Sequence, residues 1–193
     1  MPHELEKRYG LSAHDLLEAI GSRFRLRAAL EGAVAEVHME AVISRLVGKV
    51  INRFEAHDLD GHPDFSIWVR GRKRPILAEC KNIRSSSKKG GEAYREKGKI
   101  VAYKVETQKT RAATADRTSR YYDVTQFDIL GVCMGKVTGD WTDFLFVRTA
   151  DLARHATHRG KLAVMQRVPL ADSGKLRPWY NDLGELLRDR YGR

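Results

Sequence analysis

Asp64, Glu79 and Lys81 combine the residue types and the spacing that metal-assisted hydrolysis requires. Residues 62 to 82 run His-Pro-Asp-Phe-Ser-Ile-Trp-Val, then a basic turn, then Ile-Leu-Ala-Glu-Cys-Lys-Asn. Strand side chains change direction at every residue. Phe65, Ile67 and Val69 therefore face one way, and Asp64, Ser66 and Trp68 the other. On the second run Leu77, Glu79 and Lys81 share a face, while Ile76, Ala78 and Cys80 turn to the core. Arg70 to Pro75, Arg-Gly-Arg-Lys-Arg-Pro, has turn composition, so the two runs are predicted to form a hairpin. Normal pairing brings two carboxylates and one ammonium to a single patch. That patch suits a divalent cation with oxygen ligands and a positive charge beside the attacking water.

Pro63-Asp64 followed by Glu79-Cys80-Lys81 resembles the signature of the PD-(D/E)xK nucleases, the restriction-endonuclease-like superfamily. Upstream, Gly32-Ala33-Val34-Ala35-Glu36 is similar to the Gly-x-x-Ala-Glu stretch that often opens this fold. Downstream, Tyr103 to Arg111, Ser119 to Tyr122 and Gln126 to Leu130 look like segments of small bacterial proteins of the same kind. The resemblance covers about residues 30 to 150. It implies an α/β fold with an αβββαβ core, a mixed central β-sheet flanked by helices, and products with 5′-phosphate and 3′-hydroxyl ends. The chain departs from this pattern after the third strand: the usual helix is hard to find in 83 to 102, and 101 to 122 reads as an insertion.

At 193 residues the chain is expected to form one nuclease domain, with a basic substrate-contacting segment at about 84 to 122. Hydrophobic residues make up 42% and charged residues 31%, as in globular proteins. No apolar run approaches the roughly 18 residues of a membrane span, and the first residues lack a secretory pattern. Cys80 and Cys133 have no metal-finger spacing, and a disulfide framework is not expected. A reducing cytoplasm is the expected location. The net charge of +10 is unevenly spread. From Arg70 to Arg120 there are 16 Lys and Arg against 5 Asp and Glu, a net +11, so the remainder is nearly neutral. A polyanion is the natural partner for such a segment.

The elements that must position these residues follow from the hydrophobic pattern. Ser12 is a predicted N-cap of a short helix ended by Gly21, and a longer helix is predicted from about Leu26 to Val50. On that helix Glu36 aligns with Ala29, Ile43 and Val47, and Glu40 lies one turn further on. A carboxylate inside an apolar stripe is costly unless it is paired or faces a polar cavity, so Glu36 joins the candidate site, with Glu40 in reserve. Strands are predicted at Val50 to Glu55, Asp64 to Arg70, Ile76 to Asn82, Val101 to Gln108, Phe127 to Met134 and Phe144 to Val147. Glu92 to Ile100 reads as helix-compatible, Asp151 to His155 as a short helix and Leu183 to Tyr191 as an amphipathic helix. His57 to His62, with two His and two Asp, reads as a turn, with His62 at the edge of the site.

These assignments define an expected mechanism. Asp64 and Glu79 would bind Mg²⁺ directly, with Mn²⁺ able to substitute, and the Cys80 backbone carbonyl and Glu36 would add oxygens. Lys81 would orient or help deprotonate the water and stabilise transition-state charge. The bland alternative is an exposed salt bridge on a hairpin. Arg72, Lys73, Arg74, Lys88 and Lys89 suit DNA phosphates, Gln108, Lys109 and Arg111 suit base edges or the site wall, and Arg120 is a further candidate DNA contact. Tyr121 and Tyr122 either stack on bases or divide between core and surface. The expected activity is that of a Mg²⁺-dependent DNA endonuclease acting as a homodimer. A structure-specific nuclease such as a Holliday-junction resolvase, or a catalytically silent DNA-binding module, are the alternatives.

Overall fold

The structure, a computed structural model, describes residues 2–59, 61–85, 92–109, 117–171 and 176–192. The chain divides into two compact units, Met1–Val34 and Ala35–Arg193. In the first, helix α1 (Glu4–Tyr9) is closed by a capping box between His3 and Glu6 and by Gly10 in the left-handed region at φ 63°. Helix α2 (Ala13–Gly21) starts on the predicted cap, the Ser12 hydroxyl accepting from the Asp15 N–H at 3.1 Å. Neither helix contains a buried residue. Helix α3 (Phe24–Ser44) follows in the chain. It ends earlier than the predicted Val50, and residues 45 to 50 form turns.

The second unit is mixed α/β. In chain order it contains β1 (Ile51–Ala56), β2 (Phe65–Val69), β3 (Ile76–Asn82), β4 (Ala93–Glu96), β5 (Lys99–Glu106), β6 (Ile129–Cys133), α4 (Gly135–Thr138), β7 (Phe144–Arg148), β8 (Met165–Val168) and α5 (Leu183–Tyr191). The central sheet has the order β1-β2-β3-β6-β7, antiparallel at every step except the parallel β3–β6 pair. A second, antiparallel sheet has the order β4-β5-β8.

Period-2 alternation divides the core between the two faces of the central sheet. Ala35, Met39 and Ile43 of α3 and Leu183, Leu186 and Leu187 of α5 pack with Phe65, Ile67, Ala78 and Cys80 on one face. Leu130, Val132, Leu145 and Val147 pack with Val105, Tyr122 and Val168 on the other. Gly131 permits the close approach of α3, because a Cβ there would stand 2.8 Å from the Met39 sulfur.

Two expectations need correction. The αβββαβ order fails at its second helix: the described crossover from β3 to β6 contains the β4–β5 hairpin and a short 3-10 turn at Arg117–Arg120. Glu92 to Ile100 is not helical, because Lys97 and Gly98 both adopt positive φ, 48° and 80°, and reverse the chain in two residues. Helices α3 and α5 therefore cover one face of the sheet, and the β4-β5-β8 sheet packs on the other. The second correction concerns Asp151 to His155. The helical turn is shorter and earlier, a 3-10 turn at Thr149–Asp151.

Candidate active site

The hairpin positions the site. β2 and β3 pair through Phe65↔Ala78, Ser66↔Leu77 and Ile67↔Ile76, and one further step along this register sets Asp64 opposite Glu79. The Cys80 N–H donates to Asp64 Oδ2 at 2.6 Å and clamps the carboxylate to β3. Glu79 is only 4% exposed. Its Oε1 accepts from the Lys81 ammonium and from the Tyr122 hydroxyl, the latter at 2.5 Å. Lys81 also lies 5.7 Å from the centroid of the Tyr122 ring. The Glu79–Lys81 pair of the bland alternative therefore exists, but its carboxylate is buried. Burying such a pair costs several kcal/mol in desolvation, roughly, so it is poor evidence of a stabilising device.

The charges are mutually coupled. Burial, then the Glu79 carboxylate, pushes the Asp64 carboxyl up to about 7, against the opposing pull of Lys81 and the Cys80 N–H. Burial disfavours the Lys81 ammonium, but Glu79, Tyr122 and Asp64 outweigh it and hold the amine protonated well beyond its ordinary range. Burial, offset in part by Lys81, also raises the Tyr122 hydroxyl, which stays a donor to Glu79.

Glu36 belongs to this electrostatic neighbourhood but does not sit as expected. The buried residues of α3 are Ala35, Met39 and Ile43; of the predicted stripe Ile43 alone is buried, and Glu36 and Glu40 are exposed. Desolvation of its carboxylate by neighbouring atoms raises the Glu36 pKa, and Lys81, Glu79 and Asp58 interact with it through space. Among the described residues no hydrogen bond or ion pair joins Glu36 to them.

The donor set fits a hard divalent cation. Asp64 accepts its hydrogen bond on Oδ2 and Glu79 on Oε1, so among the described residues each keeps one uncommitted carboxylate oxygen. No group of three or more His, Cys, Asp or Glu side chains able to hold a metal ion occurs among the described residues. Mg²⁺ does not require one, since it is commonly held by one or two carboxylates and keeps several waters. The Cys80 thiol lies in the core and is driven upward in pKa by burial, so only the backbone of that residue is suited to the role proposed for it.

The expected DNA-binding residues fall in different places. Arg72, Lys73 and Arg74 are exposed at the turn, the end of the hairpin remote from Asp64 and Glu79. Four residue steps of strand separate Val69 from Phe65, roughly 13 Å. Arg72 lies over the Tyr191 ring at 5.3 Å. Gln108 pairs with Tyr121 in an isolated antiparallel bridge and donates to Glu106. The Lys109 N–H donates to the Arg120 carbonyl at 2.8 Å, and Arg120 Nε returns a bond to the Lys109 carbonyl at 3.2 Å. Lys88, Lys89 and Arg111 lie outside the described residues. His57 and His62 pack edge to face at 4.3 Å, and the His57 N–H donates to the Asp64 carbonyl at 2.8 Å. The loop thus braces Asp64 through its backbone.

The sequence pattern did not reveal the role of Tyr122. Its adjacency to Tyr121 was the available signal, and the pair does divide between core and surface. Only the fold shows that the buried member reaches Glu79. No protein-family model, curated protein or solved structure matches this chain. Among the described residues no helix is long and apolar enough to cross a membrane.

Proposed function

We propose that this protein is a Mg²⁺-dependent DNA endonuclease with a restriction-endonuclease-like core, as the resemblance to the PD-(D/E)xK nucleases implies. The observation that carries this reading is the buried Glu79 carboxylate, held between Lys81 and Tyr122 and opposite Asp64 in the register of one hairpin. The central sheet, with three antiparallel-paired strands followed by a parallel β3–β6 step, supports it.

Asp64 and Glu79, with the Cys80 carbonyl and Glu36, would hold the cation. When bound, Mg²⁺ supplies charge neutralisation on the phosphate and activation of the water. The Cys80 N–H fixes the Asp64 carboxylate, and the Tyr122 hydroxyl fixes that of Glu79. Lys81, kept protonated, donates to an oxygen of the reacting phosphate or to the attacking water and stabilises the charge that develops. By the resemblance, the products carry 5′-phosphate and 3′-hydroxyl ends. One site per chain cuts one strand, so duplex cleavage would need two copies, a homodimer.

Cleavage of supercoiled plasmid with Mg²⁺, Mn²⁺ or EDTA tests the reading. Asp64→Ala and Lys81→Ala should each lower the rate at least about 100-fold while retaining DNA binding. Tyr122→Phe, which removes only the positioning bond, should lose about tenfold. Metal-dependent cleavage that survives in both Asp64→Ala and Lys81→Ala would refute the assignment. DNA binding without cleavage in wild type would favour the silent module.

A further inference from the structure

Tyr121 leads out of the candidate site to a second cluster that charge counting along the sequence did not single out. Its ring packs against His155 at 4.6 Å and His158 at 5.3 Å, and the two imidazoles lie 4.6 Å apart. These histidines belong to a hairpin-like loop closed by the Arg154↔Leu162 bridge. The His155 N–H donates to the Lys161 carbonyl, and the Ala163 N–H to the Ala153 carbonyl, both at 2.9 Å. Inside the loop His155 Nδ1 accepts from the N–H groups of Thr157 and His158 at 3.2 Å. The stem is pinned to the segment that carries Tyr122. The Leu162 N–H donates to the Tyr122 carbonyl, and the Val124 N–H to the Gly160 carbonyl, again both at 2.9 Å.

The loop borders a groove of about 550 Å³ lined by Val124, Arg154, His155, Thr157, His158 and Arg159, and no carboxylate lines it. Asp123, the nearby acid, is already paired with Lys161 at 2.9 Å. Arg154 and Arg159 are exposed, and among the described residues neither has an ion-pair partner. Lys109 and Arg120 flank the Gln108↔Tyr121 bridge. A braced aromatic wall flanked by uncompensated guanidinium groups is a surface for a phosphodiester backbone.

We propose that this groove binds the DNA strand next to the reacting phosphate, with Arg154 and Arg159 each holding one phosphate. The inference rests on the nuclease reading and deepens it. Unlike the basic turn at Arg72 to Arg74, the groove is lined by Val124, two residues along the chain from Tyr122, whose hydroxyl touches Glu79.

Fluorescence anisotropy of a labelled duplex oligonucleotide in EDTA, across a salt series, tests binding without cleavage. Each phosphate that the protein no longer neutralises takes about 0.9 from the slope of log K against log [salt]. Arg154→Ala/Arg159→Ala should therefore flatten the slope by about 2 and weaken binding at least about tenfold at 0.1 M salt, with an unchanged melting curve. Unchanged slope and affinity overturn the groove and leave the nuclease reading standing. If wild type binds, loses binding in the double variant and yet never cleaves with Mg²⁺, the groove stands and the chemistry falls. Wild type that binds no DNA overturns both.

Discussion

A carboxylate held up at about pH 7 beside a lysine held protonated is an arrangement that a purely structural ion pair does not need. Asp64 is raised because it is half-buried and faces Glu79, so below about pH 7 its acid form is favoured. A group whose pKa rises on folding contributes stability in full below its ordinary value, near 3.8, and loses that contribution as pH climbs through about 7. In EDTA the melting temperature of wild type should therefore fall relative to Asp64→Asn between about pH 4 and 7 and run parallel above. Saturating Mg²⁺ should erase the fall, since a cation stabilises the ionised form that burial penalises. Two melting curves that stay parallel over the whole range would show that Asp64 is not under this stress.

At the scale of elements, what could be read from the sequence depended on periodicity. The β2–β3 hairpin was legible to within a residue because its apolar residues alternate and a Gly-containing turn interrupts them. It was this hairpin that brought Asp64, Glu79 and Lys81 into view. α3 was legible as a helix but not by its face. Apolar residues occur all around it, Val37 being 65% exposed while Met39 is buried, so the pattern alone could not choose between Ala35–Met39–Ile43 and the neighbouring stripe that contains Glu36. β5 was legible as the strand predicted at Val101 to Gln108, but β4 and its turn were hidden by Lys and Glu residues, which suit a helix surface equally well. The Tyr122–Glu79 bond spans 43 residues, and no local pattern encodes it. The stripe that the fold selects has a measurable consequence at Gly131. A methyl there meets the Met39 sulfur at 2.8 Å and Phe146 at 3.2 Å. Gly131→Ala should cost about 1–3 kcal/mol in urea unfolding, and less than that in a Met39→Ala background, where the space is already open. Additive losses would place α3 farther from β6.

For the whole molecule, the formal net charge of +10 persists when ion pairs form, because each pair is neutral and is already counted as such. Arg84 is paired with Glu92 at 3.6 Å and Glu106 at 3.4 Å, Lys104 with Glu92 at 3.8 Å, and Arg167 with Glu96 at 3.6 Å. Within the basic segment, Arg84 and Lys104 are thus tied to carboxylates at the β4–β5 hairpin. Among the described residues, the exposed cations that the proposed reading assigns to DNA are those at the hairpin turn and Arg154 and Arg159 at the groove. On the proposed nuclease reading, a single chain would hydrolyse one strand per encounter, and cutting both strands would need a second copy oriented by a two-fold axis. On supercoiled plasmid, nicked circles should form at a rate proportional to enzyme concentration. Linear product should rise more steeply, approaching the square of concentration where the dimer is the minor species. Sedimentation at the same concentrations should show the dimer fraction rising in step with the linear product. A constant ratio of linear to nicked product across a hundredfold range of enzyme, with only monomer sedimenting, would mean that one chain cuts both strands in turn. The two-copy reading would then be abandoned.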